Sequence, residues 1–215
     1  MTAGRVLVIR LVSTMEHNTV IIRKMRGTEA RRVAEIHTVA FPGYTLSKLG
    51  KLFLRVYYHG ICDDADGIAL VGERNGTILG FATGMMNPSG FYARLLKRRW
   101  FRFMVAAVPG AIRHPGFIPR LFGALWLPQS SPVGGTIATL SSIAVSPEVA
   151  GCGIGRRLME EFVAEVKRRG GTELTWGAKK RDEIANRFYQ RIGYSETREH
   201  VDSQGEGVIE YVFRF

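Results

Sequence analysis

Apolar residues recur along this chain at two spacings, one of two residues and one of three to four, and the changes between them outline its elements. The β-branched run Val20 to Ile22 is the first convincing strand. Residues 1–18 carry no sustained periodicity, so the ordered fold is expected from about Thr19, with 1–18 as an N-terminal extension. Val33, Ile36 and Ala40 then recur at helical spacing behind Thr28, whose hydroxyl can cap a helix, and Phe41, Pro42 and Gly43 break the pattern. A second helix is predicted over Leu46, Leu49, Phe53, Val56 and Tyr57, with Gly60 as its stop. Ile68–Arg74 and Thr77–Met86 flank Asn75-Gly76, the pair that supplies the two positive φ angles of a type I′ turn, so a β-hairpin is expected there.

The second half repeats this alternation at higher density. A strand is predicted from Thr136 to Val145, followed by the turn Ser146-Pro147-Glu148, a glycine cluster, and an amphipathic helix from about Ile154 to Arg169 that Gly170-Gly171 ends. A short strand Glu173–Trp176 follows, then a helix that Asp182 caps and Gly193 stops, then two strands over about Tyr194–Asp202 and Val208–Phe215. The pattern is α/β, with a largely antiparallel first half and a β-α-β-α-β-β second half.

Composition narrows the class. With 215 residues and 46% hydrophobic positions the chain can form one substantial domain, 19–215, and remove roughly 70% of its surface from water without disulfides or a structural metal. Collagenous and disordered classes are excluded. Cys62 and Cys152 stand far apart with no CxxC, so neither a disulfide framework nor a zinc site is indicated. The apolar stretch Val6–Val12 is broken by Arg10, and no run approaches 18 apolar residues; a cytoplasmic protein is expected.

Charge changes the picture in one place. Lys and Arg exceed Asp and Glu by 30 − 19 = +11, an excess that suits nucleic acid, an anionic membrane or a phosphate-rich ligand. Seven of those charges (Arg94, Lys97, Arg98, Arg99, Arg102, Arg113 and Arg120) lie in residues 88–135, which contain six prolines, eight aromatics and no acid. From Tyr92 a helix would set Tyr92, Leu96, Trp100 and Phe103 on one face and Arg94, Arg98 and Arg102 opposite, so 88–135 is expected to be a basic, aromatic, partly helical insertion.

Gly151-Cys152-Gly153-Ile154-Gly155 lies between a strand and a helix. Small residues there let the backbone curl, the free N–H groups of the helix start converge, and the helix dipole favours an anion. A tight strand-to-helix turn is the simpler alternative. The Gly-Lys-Ser/Thr of a Walker A loop is absent, and the Gly-x-Gly-x-Gly spacing is not the dinucleotide fingerprint.

The segment Leu140-Ser-Ser-Ile-Ala-Val-Ser-Pro-Glu-Val-Ala-Gly-Cys-Gly-Ile-Gly-Arg-Arg-Leu158 resembles motif A of the GNAT N-acetyltransferases. Downstream, Asp182-Glu-Ile-Ala-Asn-Arg-Phe-Tyr-Gln-Arg-Ile-Gly-Tyr194 is similar to that family's Asn-x-x-Ala-x-x-Phe-Tyr-x-x-x-Gly-Phe/Tyr signature. The likeness covers about Val20–Phe215 apart from the insertion. It implies a single-domain GNAT fold, a mixed, mostly antiparallel twisted sheet flanked by helices with a helical insertion after the third strand, and acetyl-CoA as co-substrate with no metal. It further implies that the pantetheine arm pairs with the backbone of Ile143, Ala144 and Val145, and that the pyrophosphate rests on the N–H groups of Gly151, Cys152, Gly153, Ile154, Gly155 and Arg156. Ala150 stands where the family usually has Gln or Arg, and Asp182 where it has Asn near the pantetheine; Asn186, one helical turn later, would partly substitute.

The reaction the resemblance implies is direct attack of a neutral primary amine on the acetyl thioester. Tyr189 matches the family's general acid, since a phenol with an ordinary pKa of about 10 can protonate a departing thiolate. A base is harder to find: the motif A strand offers only Thr139, Ser141 and Ser142, and His37, Glu73 and Glu173 are further candidates with none preferred. Cys152 at the helix start reads as a spacer, and Trp176 and Met85-Met86 as core.

The resemblance places the acceptor over Phe41–Tyr58 and the 88–135 insertion. Together with Ala40-Phe-Pro-Gly-Tyr44, the insertion is similar to GNAT proteins of bacterial surface-polysaccharide pathways, which makes a nucleotide-linked amino sugar the leading acceptor, its diphosphate met by the arginines. Protein N-terminal or lysine amines, small amines, and a lipid-linked acceptor reached by membrane contact through 91–127 are the alternatives. A homodimer contact is a further reading of the insertion, and nucleic acid becomes the least expected partner.

Overall fold

The computed structural model describes residues 19–113, 136–195, 197–202 and 205–215. Seven strands form one sheet: β1 (Ile21–Lys24), β2 (Gly67–Arg74), β3 (Thr77–Met86), β4 (Ile137–Val145), β5 (Glu173–Lys179), β6 (Thr197–Val201) and β7 (Gly207–Arg214), in the order β1-β2-β3-β4-β5-β7-β6. All pairings are antiparallel except β4–β5, which is parallel and is bridged by the long helix that the glycine cluster opens. The β2–β3 hairpin turns on Asn75 (φ 51°) and Gly76 (φ 77°), as its sequence requires.

Helices cover both faces. On one lie α1 (Ala30–Ala40), the short α2 (Thr45–Lys48), α3 (Lys51–Asp63) and α4 (Phe91–Arg113); on the other lie α5 (Ile154–Arg168) and α6 (Glu183–Arg191). The first core gathers Val33, Leu54, Tyr58 and Phe81, all but closed to solvent. The second gathers Leu158, Phe162, Leu174 and Tyr211. Gly84 of β3 makes room there, because a Cβ at that position would stand 2.7 Å from Phe162 Cζ. Burying a side chain of this size contributes about 1.5–3 kcal/mol, so Phe162 and Leu158 fix α5, and with it the loop at its N-terminus, against the sheet.

Local predictions in the first face required three corrections. Thr28 caps nothing: a 3₁₀ turn over Gly27–Glu29 precedes α1, and the Glu29 carboxylate accepts the Arg26 N–H at 2.8 Å. The second predicted helix is two, parted at Gly50 (φ 89°), and Gly60 lies inside α3, where its missing Cβ leaves the space that Leu95 Cδ1 fills. α4 is kinked at Arg99 (φ −134°, ψ 22°). Phe91, Leu95, Phe103 and Ala106 recur at one helical spacing on both sides of this residue and form the buried face, whereas Trp100, grouped with Phe103 in the sequence reading, lies off that face and is 62% exposed. Residues 1–18 and the insertion beyond Arg113 up to residue 135 lie outside the described residues.

Candidate active site

β4 and β5 run together for three residues and then part. Ile137, Ala138 and Thr139 pair with Glu173, Leu174 and Thr175, and the two threonine hydroxyls at the end of this ladder are 3.2 Å apart. Beyond them β4 stays with β3 as far as Val145↔Gly80, and β5 stays with β7 as far as Lys179↔Val208. The register of β3 and β4 slips between Thr83 and Gly84, which leaves Ser141 as the extra residue of a bulge at the point of parting. The backbone edge of Ile143, Ala144 and Val145 that faces β5 therefore has no strand partner.

The opening forms a cavity of about 190 Å³ between the two strands, the start of α6 and the loop from α1 to α2. The glycine loop adjoins the end of β4, where a Cβ at Gly155 would lie 3.6 Å from Val145 Cγ2. Gly151 (φ 81°) and Gly153 (φ 76°) take left-handed backbone geometry that no β-substituted residue adopts without strain, and Gly153 begins α5 with no side-chain cap. The first amides of a 15-residue helix are thus open to an anion, and Gly155 lies against Phe188, where a Cβ would stand a tight 3.3 Å from the ring. Cys152 is exposed in the same loop, beside Ile154, which is buried in the core. Arg156 makes an i,i+4 pair with Glu160 at 2.8 Å, and Arg157 bonds the Val20 carbonyl at 2.7 Å, so both rim arginines have partners on the protein.

Tyr189 projects from α6 into the cleft wall, 6% exposed and packed on Trp176 and Tyr211 at ring distances of 5.3 and 5.0 Å. Burial, then the nearby Tyr211 and Asp182 oxygens, push its phenol above the ordinary value, so the group is a proton donor at neutral pH. Asp182 caps α6 by accepting the Ala185 N–H at 3.1 Å and also accepts the Tyr44 hydroxyl at 2.8 Å. Lys179 lies 4.7 Å over the Tyr44 ring. Asn186 is a structural residue of this turn: its amide nitrogen donates to the carbonyls of Lys179 and Asp182 at 3.0 and 2.8 Å, and its oxygen accepts from Tyr211 at 2.9 Å. No donor remains for the pantetheine contact that the sequence suggested.

The three base candidates outside the motif A strand separate cleanly. Glu73 is bonded to Arg23, and Glu173 to Arg214 at 3.0 Å, and neither lines the cleft. His37 does line it, 3% exposed, with Nδ1 2.5 Å from the Tyr58 hydroxyl and Nε2 lacking any partner. Burial pushes its pKa down to about 4, so the ring is neutral. Trp176 Nε1, also on a cleft residue, is buried without a partner as well. Buried polar atoms are ordinarily satisfied, so two such atoms around one cavity suit a polar ligand there.

The family model described as acetyltransferase (GNAT) family matches residues 30–194. The chain belongs to that family. Among curated relatives, the GNAT chain is 30% identical to the peptidyl-lysine N-acetyltransferase YjaB of Escherichia coli over 97 residues, 42% of this chain and 61% of that protein. It is 33% identical to the 5-NmdU N-acetyltransferase of Pseudomonas phage PaMx11 over 63 residues, 29% of this chain and 43% of that one. The matched parts therefore span less than two thirds of either relative. Among solved structures, the polyamine N-acetyltransferase of Drosophila melanogaster superposes with a TM-score of 0.57 at 15% identity, covering 92% of this chain and 100% of that one, a likeness of fold. The sequence names the glycine loop and Tyr189, offers His37 and Ser141 among several base candidates and sets Phe41–Tyr58, with Tyr44, beside the acceptor; Trp176, read there as core, also lines the cleft.

Proposed function

We propose that this GNAT protein transfers the acetyl group of acetyl-CoA to a primary amine. The observation that carries the reading is the parting of β4 and β5 beside the uncapped start of α5, with Tyr189 and His37 facing the same opening. The edge of Ile143–Val145 would hold the pantetheine arm, and the amides of Gly151–Arg156 its pyrophosphate; glycines without Cβ and a helix end without a cap fit both groups. Acetyl-CoA supplies the activated acetyl thioester.

His37 Nε2 accepts a hydrogen bond from the amine and takes up or passes on the proton the amine loses as its nitrogen bonds the acetyl carbon. Tyr58 fixes the ring from the other side. Tyr189 gives its phenolic proton to the sulfur as the carbon–sulfur bond breaks, and recovers one from solvent. Buried aromatics around both groups exclude water that would compete with the amine.

The acceptor reaches a largely apolar cleft in which, among the described residues, no cation is a lining group. That supports an amine carried on a slim arm. The narrower reading, a nucleotide-linked amino sugar, rests on the basic sequence of 88–135; of its arginines, Arg94 is bonded to Asp66 at 2.5 Å and Arg99 to Asp63. A thiol-release assay with acetyl-CoA across polyamines, lysine peptides and amino-sugar nucleotides tests the class. Release with at least one primary amine is expected, and failure of acetyl-CoA to bind in calorimetry would overturn the reading.

A further inference from the structure

The outer face of α4 carries Trp100, Phe101, Met104, Val105, Val108 and Ile112, each more than half exposed. From Phe103 to Ile112 the helix holds no charged residue. This inverts the usual arrangement, in which a surface helix turns its apolar stripe inward. The inward side of α4 is apolar too: Phe53 and Phe103 meet at 5.1 Å, and Gly110 approaches the Leu49 backbone so closely that a Cβ would lie 2.8 Å from its carbonyl oxygen. Both faces therefore need an apolar neighbour, and only the inner one has it among the described residues.

Cations border the outer stripe. Lys97 stands one turn before Phe101, Arg102 one turn before Val105, and Arg98 one turn before Arg102. All three are exposed, and Lys97 and Arg102 have no acidic partner among the described residues, in contrast to Arg94 and Arg99. No acid occurs anywhere in 91–113, so a second copy of the same face brings nothing to neutralise them. Anionic headgroups above an acyl layer supply both requirements at once, with the tryptophan and phenylalanine at the boundary.

We infer that α4 is a peripheral docking element for an anionic lipid bilayer, with Trp100, Phe101, Met104, Val105, Val108 and Ile112 entering the interface and Lys97, Arg98 and Arg102 meeting its phosphates. No described helix is long and apolar enough to cross a membrane, so the contact lies in the plane of the surface. The inference stands apart from the acetyl-transfer reading, since lipid binding is measured without acetyl-CoA.

The test is co-sedimentation of the full chain with vesicles of phosphatidylcholine alone and of phosphatidylcholine containing one third phosphatidylglycerol, at low salt. Binding to the anionic vesicles at least ~10-fold tighter than to neutral ones is expected, as is a loss of ~10-fold or more in each of two variants, Phe101→Glu/Val105→Glu and Lys97→Glu/Arg102→Glu. These side chains are exposed, and unchanged circular dichroism and acetyl-CoA affinity will show that the variants fold. Absence of binding to anionic vesicles, or binding that survives both variants, overturns the inference. So does a dimer in light scattering that Phe101→Glu/Val105→Glu splits while vesicle binding is absent, since the face would then belong to a second copy.

Discussion

The Tyr44 hydroxyl donates a 2.8 Å hydrogen bond to the Asp182 carboxylate, and this one contact ties the loop after α1 to the start of α6 across the cleft, 138 residues apart in sequence. Burial and the adjoining carboxylate both hold the Tyr44 phenol protonated, so the bond persists at any pH at which the protein is folded and Asp182 is ionised. Tyr44→Phe should cost about 1.5–3 kcal/mol in urea unfolding, the range for a hydrogen bond to a charged acceptor. A cycle with Asp182→Asn, which keeps the helix cap, should give a coupling energy of about 1 kcal/mol; strictly additive losses would mean that the contact stabilises nothing.

His37 offers a sharper separation of binding from chemistry. Its Nε2 has no protein partner, so His37→Gln should lower kcat on the order of 10 to 100-fold while the calorimetric affinity for acetyl-CoA stays within about twofold. Tyr58→Phe removes the 2.5 Å bond that orients the ring and should give a smaller loss of the same kind. Equal loss of acetyl-CoA binding in both variants would assign His37 to packing alone.

The same histidine makes stability depend on pH. Its pKa is about 4 in the folded chain against an ordinary 6.5, so the unfolded chain binds the proton more readily between those values. The contribution is fully present above about pH 6.5 and is lost as pH falls toward 4, on the order of 3 kcal/mol in all. Thermal melts between pH 7 and 4 should fall more steeply for the natural sequence than for His37→Gln.

Much of this was legible in advance. Asn75-Gly76 fixed the hairpin, and the strand, glycine loop and helix around Gly151 and the helix behind Asp182 lie within a residue or two of their expected places, because their signals are local. What escaped was non-local. The break at Gly50 and the role of Gly60 depend on which neighbours press on α3, and Leu95 is 35 residues on from Gly60. The outward turn of Trp100 escaped because Tyr92, Leu96 and Trp100 are as apolar as Phe91 and Leu95, one position earlier, which are the residues that the neighbouring helix buries. The cleft itself is a property of register: nothing within Ile137–Val145 alone says that β5 will leave it after Thr139.

Tyr189→Phe removes one oxygen and keeps the ring packed on Trp176 and Phe188. Turnover should fall on the order of 10 to 1000-fold with acetyl-CoA affinity nearly intact, and the loss should be smallest for donors with the most acidic thiol leaving groups. Unchanged turnover would remove Tyr189 from the chemistry.

Gly153→Ala places a Cβ on a residue at φ 76° in open space, so the substitution tests backbone strain rather than a clash. About 1 kcal/mol of stability should be lost, and acetyl-CoA should bind roughly tenfold more weakly as the first amides of α5 are re-aimed. Ala150→Gly, on the same loop without positive φ, serves as the control and should change affinity little.

The short β4–β5 ladder carries one more implication. Among the described residues, three residue pairs and the 2.9 Å bond from the Thr172 N–H to the Thr136 carbonyl just before them join strands β1–β4 to strands β5–β7, so the sheet is two leaves sewn along a brief seam. In native-state hydrogen exchange the amides at that seam should be the weakest of the central strands in the free protein. A ligand lying along both leaves would act as a second row of stitches, slowing exchange on β4 and β5 together although it touches few of their amides directly.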